Sequence, residues 1–521
     1  MLFNSYFFIF VFLPIVLIVF YSLTNKSLSI VWLICASFFF YSCWNYHYLI
    51  LLIFSIMFNY SNGFLLIKSK NNKILYQKLI LFFGVLVNLG ILGYFKYFNF
   101  FIDNANLFFE SGFHRREIIL PLAISFYTFQ QIAYLVDTFR SESCQISFLY
   151  YCLFISFFPQ LIAGPIVRHN ETIPQFKNNG FSKFTYSNIS VGLTLFAIGL
   201  FKKVILADGI APYATSVFNA ASRGETIFLI ESWIGALSYT FQLYFDFSGY
   251  SDMAIGLGRM FNISLPLNFY SPYRCSSIID FWRQWHITLS FFLRDYLYIP
   301  LGGNRNGHVM RFLNVMITML LGGLWHGAGW TFIVWGGLHG IFLSINQFWR
   351  IIINKYSVSW GKYRFFVHTF YFCLTFLAIT VAWVFFRSEN LFAAKNILYG
   401  MIGLNGVNLP PGYYGIFGQL SETLSYSGVV FQSEVLPSYV NIFVWILSLS
   451  VITWCFPNTY ELMFNYDPVL KIKKSLRIIK KNHHFPLTWQ PSIFWAMLIS
   501  ILFSICILFM SSASEFLYFN F

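Results

Sequence analysis

Charge is what this sequence has least of. Only 10% of its 521 residues are Asp, Glu, Lys or Arg, where a soluble globular chain carries roughly 25%. Residues 1–25 hold no charge, and residues 27–67 hold none either. The same silence recurs over 79–95, 118–136, 145–167, 184–201, 312–349, 365–386 and 435–460. That scarcity excludes an ordinary water-soluble core. The eight cysteines are scattered singly and form no C-x-x-C pair, so neither a zinc site nor a redox motif is indicated. Also missing are the G-x-x-x-x-G-K-[ST] phosphate loop, H-E-x-x-H and the G-x-S-x-G nucleophile elbow. Gly256-Leu-Gly258 lacks the third glycine of a dinucleotide fingerprint and reads instead as helix packing.

What is there is apolar surface: 58% of residues are hydrophobic and 67 are Phe. A spanning helix needs about 20 predominantly apolar residues, so runs 27–67 and 312–349 read as two helices each. The whole predicts an all-α polytopic transmembrane bundle of roughly a dozen helices, some broken or re-entrant. No appended soluble domain or internal repeat stands out, so residues 1–521 read as one integral membrane domain. No base precedes the first apolar run and no small-residue cleavage site follows it before Lys26, so it is expected to remain as the first membrane helix.

The net charge of +14 is concentrated in loops. Lys68, Lys70, Lys73 and Lys78 form one cluster, Arg350, Lys355, Lys362 and Arg364 a second, and residues 471–481 a third. The positive-inside rule places all three in the cytoplasm and the base-poor stretch 391–434 outside. This is the charge bias of a membrane protein, and it predicts lipid contact rather than nucleic-acid binding.

Residues 246–340 break the pattern. Asp246, Asp252, Arg259, Arg274, Asp280, Arg283, His286, Arg294, Asp295 and Arg305 crowd into a stretch bordered by apolar runs. Charge at membrane depth usually faces a protein interior or a watery cavity, which makes this the place to look for function. In Phe281-Trp-Arg-Gln-Trp-His286-Ile-Thr-Leu-Ser290, a continuous helix would put His286 on one face with Trp282 and Arg283. Asp295, nine residues on, would be out of phase with it. An amphipathic helix lying at the interface is the plainer reading of the same composition. His326 sits among Gly322, Gly323, Gly327 and Gly329 within an uncharged run. A buried imidazole must be hydrogen-bonded or used, and its ordinary pKa of about 6.5 suits general-base work on a hydroxyl. A satisfied packing histidine is the alternative. His339 would lie about 20 Å further along a continuous helix, on another face, and reads as structural.

Five stretches together resemble the membrane-bound O-acyltransferase family, and its bacterial alginate O-acetyltransferase branch in particular. They are Leu120-Pro-Leu-Ala-Ile-Ser-Phe-Tyr-Thr-Phe-Gln130, Phe158-Pro-Gln-Leu-Ile-Ala-Gly-Pro-Ile-Val-Arg168, Phe245-Asp-Phe-Ser-Gly-Tyr-Ser-Asp252, the Phe281 to Ser290 segment with Arg294-Asp295-Tyr296, and Gly323 to Gly329. Trp383-Val-Phe-Phe-Arg387 is similar as well, so the core motifs fall within residues 120–387. The resemblance implies a helical bundle around a funnel or tunnel, with His326 as principal catalyst and His286 as the second histidine. Thr288 occupies a position that varies within the family. The resemblance also implies an acetyl-CoA or other thioester donor on the cytoplasmic side, transfer across the inner membrane, and no permanently bound cofactor or metal. A separate periplasmic or extracytoplasmic acetyltransferase would place the group on a polysaccharide. Alginate or another exopolysaccharide, peptidoglycan, and teichoic acid with an alanyl donor all remain open as acceptor systems. A transporter or flippase is the rival from another class, but the inverted repeats such proteins often carry are not evident.

Overall fold

The computed structural model describes residues 1–71, 73–140, 146–162, 164–356, 361–432, 435–436, 439–470, 487–510 and 517. Nearly all its regular structure is helical, as long charge-free runs demand, because a helix satisfies every backbone N–H and C=O within itself where water is absent. The first part of the chain forms α1 (Leu13–Ser22), α2 (Lys26–Ser42), α3 (Tyr46–Lys68), α4 (Ile74–Leu92), α5 (Phe98–Phe109), α6 (Ile124–Phe139), α7 (Phe148–Ser156), α8 (Phe158–Leu161) and α9 (His169–Lys177). The middle forms α10 (Tyr186–Phe201), α11 (Asp208–Ser222), α12 (Leu229–Met260), α13 (Ile278–Gln284), α14 (Ile287–Leu293), α15 (Gly307–His326) and α16 (Trp330–Lys355). There follow α17 (Arg364–Arg387), α18 (Leu391–Met401), β1 (Val407–Leu409), α19 (Pro411–Phe417), α20 (Gln419–Tyr426), β2 (Val429–Phe431), α21 (Tyr439–Cys455), α22 (Thr459–Leu462) and α23 (Ile493–Phe509). The two strands pair in parallel, Val407 opposite Val429.

Five helical stretches among the described residues are long and apolar enough to cross a membrane: Tyr46–Lys68, Ile74–Phe109, Tyr186–Ser222, Gly307–His326 and Gly361–Arg387. Four shorter apolar helices accompany them. Side chains such as Ile50, Phe82, Phe101 and Phe443 stand exposed on their outer faces, as lipid contact requires. Runs 27–67 and 312–349 split into two helices each, as expected. Run 145–167 does not span: it breaks into α7 and α8, of 9 and 4 residues, before the Pro165 segment.

The longest element, α12, has 32 residues and so measures about 48 Å, which makes it a ruler for the two faces of the bundle. At its start, the Leu229 amide donates to the Gly406 carbonyl (3.1 Å), which places the β1–β2 segment at that end. At its finish, the Met260 carbonyl accepts from the Tyr21 hydroxyl (2.5 Å), and just beyond it the Leu470 amide donates to the Leu265 carbonyl (2.9 Å). The base-poor stretch after α17 and the chain leading towards residue 471 therefore lie at opposite ends, as the charge pattern requires. Residues 471–481 themselves lie outside the described residues.

Tight helix packing fixes this frame. On α10 and α12, Gly192 faces Gly256, and Gly199 faces Gly249. A Cβ on Gly192 would lie 2.7 Å from the Gly256 carbonyl oxygen, and one on Gly199 would lie 2.5 Å from that of Gly249. No side chain fits at either crossing. Gly256 is thus a packing glycine, as read from the sequence. Buried ion pairs secure the same interface: Lys203 to Asp246 (2.7 Å) and Asp208 (2.9 Å), and Lys202 to Asp252 (2.7 Å). Asp252 also accepts from the Thr459 and Tyr460 hydroxyls of α22, both at 2.7 Å.

Candidate active site

His326 is the last residue of α15, and the chain reverses over 327–329 into α16. Two further glycines set this hairpin. A Cβ on Gly323 would lie 2.2 Å from the Phe332 carbonyl oxygen, and one on Gly336 would lie 2.3 Å from that of Met319. The glycines before His326 thus admit a neighbouring helix rather than a ligand. The imidazole is buried, 5% exposed, edge-to-face with Trp335 (5.0 Å between centroids) and Phe386 (5.2 Å). Phe386 belongs to the Trp383 to Arg387 motif, whose place is now clear: it walls the histidine.

A helix ends with carbonyls that lack intrahelical partners. Here two side chains from a π-helical turn at Gly93–Tyr97 supply them. The Lys96 ammonium donates to the carbonyls of Trp325 (2.5 Å) and His326 (3.1 Å), and the Tyr97 hydroxyl donates to that of Leu324 (2.8 Å). Lys96 was not singled out from sequence. It borders the charge-free run 79–95 and looks like its end, yet a lone lysine continuing an apolar helix is itself a signal.

His286 departs from the helical expectation. The helix breaks: Trp285 is extended, and His286 adopts left-handed φ 40°, ψ 55°, a conformation uncommon for a residue with a side chain. The face-sharing with Trp282 and Arg283 is therefore absent. The kink is clamped instead. The Ile287 amide donates to the Asn268 carbonyl (2.9 Å), the Thr288 hydroxyl donates to Asn268 Oδ1 (2.9 Å), and the Ile166 amide donates to Thr288 Oγ1 (3.0 Å). Asn268 Oδ1 lies 3.1 Å from His286 Nδ1, so Nδ1 carries the proton and Nε2 the lone pair. His286 is 1% exposed, edge-on to Phe247 (4.8 Å), and 6.3 Å from the Trp325 ring that adjoins His326. The two candidate histidines are therefore brought together around one indole.

His339 also departs from expectation. With the chain reversed at 327–329, it lies beside the site rather than far along one helix: Trp335 contacts both His326 and His339 (4.8 Å). His339 Nδ1 accepts from Trp282 Nε1 (3.2 Å). Asp295, as expected, is not beside His286. Burial works against its charge, but hydrogen bonds from Arg294 (2.7 Å) and Arg168 (2.6 Å) more than offset that and hold its pKa at about 2. Two of the sequence motifs meet in that pair. Asp246 and Asp252 are consumed by the lysines of the frame and do not reach the histidines.

Cavities approach from both ends of the α15–α16 hairpin. One, of about 360 Å3, is lined by Trp44, Pro121, Ser125, Phe126, Lys96 and Trp325 at the His326 end. The other, of about 570 Å3, is lined by Trp282 and four arginines at the Arg350 end, where basic loop residues cluster. Trp282 touches Trp335 (5.9 Å) and Trp335 touches His326, so two aromatic contacts separate the second cavity from the imidazole.

The profile of the membrane-bound O-acyltransferase family matches residues 80–387, which include both histidines. The chain is 42% identical to the peptidoglycan O-acetyltransferase of Helicobacter pylori, covering 100% of this chain and 98% of that protein. It is 43% identical to a probable alginate O-acetylase, AlgI, of Pseudomonas syringae, over 77% of this chain and 74% of the relative. Similarity to the teichoic acid D-alanyltransferase of Bacillus subtilis is lower, 27% over 49% of this chain and 67% of the relative.

Proposed function

Because the chain belongs to the membrane-bound O-acyltransferase family, we propose that it carries acetyl groups from a cytoplasmic thioester across the inner membrane for O-acetylation of an extracytoplasmic polysaccharide, peptidoglycan first among the candidates. The observation that carries the reaction is the position of His326 between two cavities at opposite ends of one helical hairpin. The acceptor rests on the similarity to the peptidoglycan enzyme along the whole chain. A second reading, an alginate-like polymer, has identities of the same size over 77% of the chain in its favour.

The chemistry follows from the residues. Acetyl-CoA or another acetyl thioester enters from the arginine-lined end, and a hydroxyl enters from the Lys96 end. His326 takes the hydroxyl proton, the oxygen attacks the carbonyl carbon, and the C–S bond breaks. The imidazolium then returns the proton to the departing thiolate, so ester and thiol are the products. His286, with Nδ1–H committed to Asn268, offers Nε2 as an acceptor. That suits orienting the hydroxyl better than stabilising an oxyanion. Lys96 holds the end of α15 and so the position of His326.

A cavity of about 360 Å3 has room for a side chain or a single sugar, not a glycan strand. The receiving hydroxyl is accordingly that of a separate extracytoplasmic acetyltransferase, which then acetylates the polymer. Expression with such a partner, in a host stripped of its own O-acetylation, tests the reading. Mass spectrometry of muropeptides should find ester acetate on the glycan, and only when both proteins are present. Acetate confined to exopolysaccharide would transfer the case to the second reading. Full acetylation without the partner would refute the two-protein arrangement.

A further inference from the structure

A third cavity lies outside the α15–α16 hairpin, in the groove between α16 and α17, and at about 810 Å3 it is larger than either of the two that flank the histidines. Its wall is apolar over most of its length. Phe342 and Ile353 mark its limits along α16, so the groove runs for about 16 Å beside that helix. That is half of the roughly 30 Å hydrocarbon core of a bilayer, the depth of one leaflet. Ile345, Phe348, Phe370 and Leu374 line it and stand exposed, so the groove opens sideways to lipid.

One end of this groove is different. Trp349 Nε1 donates to the Tyr371 hydroxyl (2.9 Å), and Trp and Tyr collect where hydrocarbon meets headgroups. At the same level, Arg350 and Asp280 line the cavity with charges of both signs. They touch (3.2 Å), and Ser277 Oγ joins them, donating to Asp280 (2.7 Å) and accepting from Arg350 Nη2 (3.1 Å). The pair is not closed off. The side chain of Arg350 is 43% exposed and that of Asp280 37%, and Arg350 Nη1 and Nε have no partner among the described residues. One turn deeper on α16, Asn346 also lines the cavity and holds a buried Oδ1 with no hydrogen-bond partner among the described residues. A buried acceptor left unmade is costly, so this one calls for a donor.

We propose that the groove binds one glycerophospholipid with a primary ammonium headgroup, phosphatidylethanolamine. Arg350 receives the phosphate, Asp280 and Asn346 Oδ1 receive the ammonium N–H groups, and an acyl chain lies along α16 and α17. Headgroup chemistry makes the choice. Phosphatidylglycerol brings no cation to Asp280, and the trimethylated ammonium of phosphatidylcholine brings no N–H to Asn346. A lipid so held also braces α13, which carries Asp280 and leads to His286, against α16. The site is separate from acyl transfer and is tested without it.

Full-length protein is reconstituted in nanodiscs holding phosphatidylethanolamine, phosphatidylglycerol and phosphatidylcholine in equal parts, then released for native mass spectrometry. The wild-type protein should retain one phosphatidylethanolamine, favoured about tenfold or more over each of the other two. Asn346→Leu should erase the preference over phosphatidylcholine, and Asp280→Asn the preference over phosphatidylglycerol. Ala378→Phe, which keeps every polar group and fills the groove, should remove the retained lipid altogether. Thermal unfolding in phosphatidylcholine alone identifies any misfolded variant, and Ala378→Phe and Asn346→Leu, which touch no ion pair, carry the test if Asp280→Asn fails to fold. Equal retention of the three lipids by the wild-type protein would overturn the proposal, as would unchanged phosphatidylethanolamine retention in Ala378→Phe. A dimer mass without retained lipid would also overturn it and give the groove to a second copy of the chain.

Discussion

Asp246 and Asp252 on α12 lie only a few dozen residues before His286, yet the two regions put buried polarity to opposite use. The carboxylates are closed off: Lys203 and Lys202 sit 2.7 Å from Asp246 and Asp252, and two hydroxyls complete the second site. Around them, α10 and α12 touch backbone to backbone through four glycines, and the helix runs unbroken for 32 residues. The histidine region is made of broken pieces. Seven-residue helices α13 and α14 meet at a strained residue, and α15 stops at the imidazole it presents. One region spends its polar groups on fixing a frame; the other holds its polar groups by their backs, with a cavity at each end of the α15–α16 hairpin. Charge in a membrane segment is therefore not a site by itself. What distinguishes the site is the break in the helix.

Substitutions should separate the two regions by their readout. The largest effect is expected for His326→Ala, with polymer O-acetylation reduced by about 10²–10⁴-fold at normal membrane abundance, since that is the range for removing a general base. Wild-type acetyl content at normal abundance would dissolve the distinction. Next, Asp246→Asn in the frame should cost about 1.5–3 kcal/mol, the range for a hydrogen bond to a charged group, because buried Lys203 loses one of its two carboxylates and keeps Asp208. Thermal aggregation followed by fluorescence-detected size exclusion reads this, and activity per folded molecule should be retained. His286→Ala should lower activity strongly, though by less than His326→Ala, and should cost about 1–3 kcal/mol of stability, because alanine keeps the Cβ that strains φ 40° while Asn268 loses its buried hydrogen bond. A stability collapse without a kinetic defect in the surviving protein would move His286 into the frame. The smallest change is Gly256→Ala, where one methyl against the Gly192 carbonyl should cost about 1–3 kcal/mol and leave the per-molecule rate alone.

Much of this architecture is legible in the sequence because the membrane imposes it. Charge-free runs mark α2, α3, α15 and α16, and the expected separation of 391–434 from the basic segment 471–481 is consistent with hydrogen bonds that place Gly406 and residues 466–470 at opposite ends of α12. The packing role of Gly256 is legible because Gly256-Leu-Gly258 lacks the third glycine of a dinucleotide fingerprint, which leaves close helix approach as its use. The breaks were not legible. Nothing in Trp285-His286-Ile287 signals a left-handed residue, because the clamp that holds it there comes from Asn268 and Ile166, far away in the chain. The reversal at 327–329 brought His339 next to the site for a similar reason: four glycines read equally well as a close helix crossing or a turn. The role of Lys96 is not legible in the sequence because its task, capping α15 from α4's continuation, exists only once two distant helices meet.

We propose that His326, as general base, serves the transfer of acetyl from a donor at one face of the membrane to a hydroxyl at the other. Proteoliposomes settle it directly: radiolabelled acetyl-CoA sealed inside, the extracytoplasmic acetyltransferase partner outside, and label on that partner counted over time. The wild-type protein should deliver label to the outside protein while acetyl-CoA stays within, and the His326→Ala protein, equally reconstituted, should deliver none above the empty-liposome background. Equal labelling by the two proteins would contradict the claim.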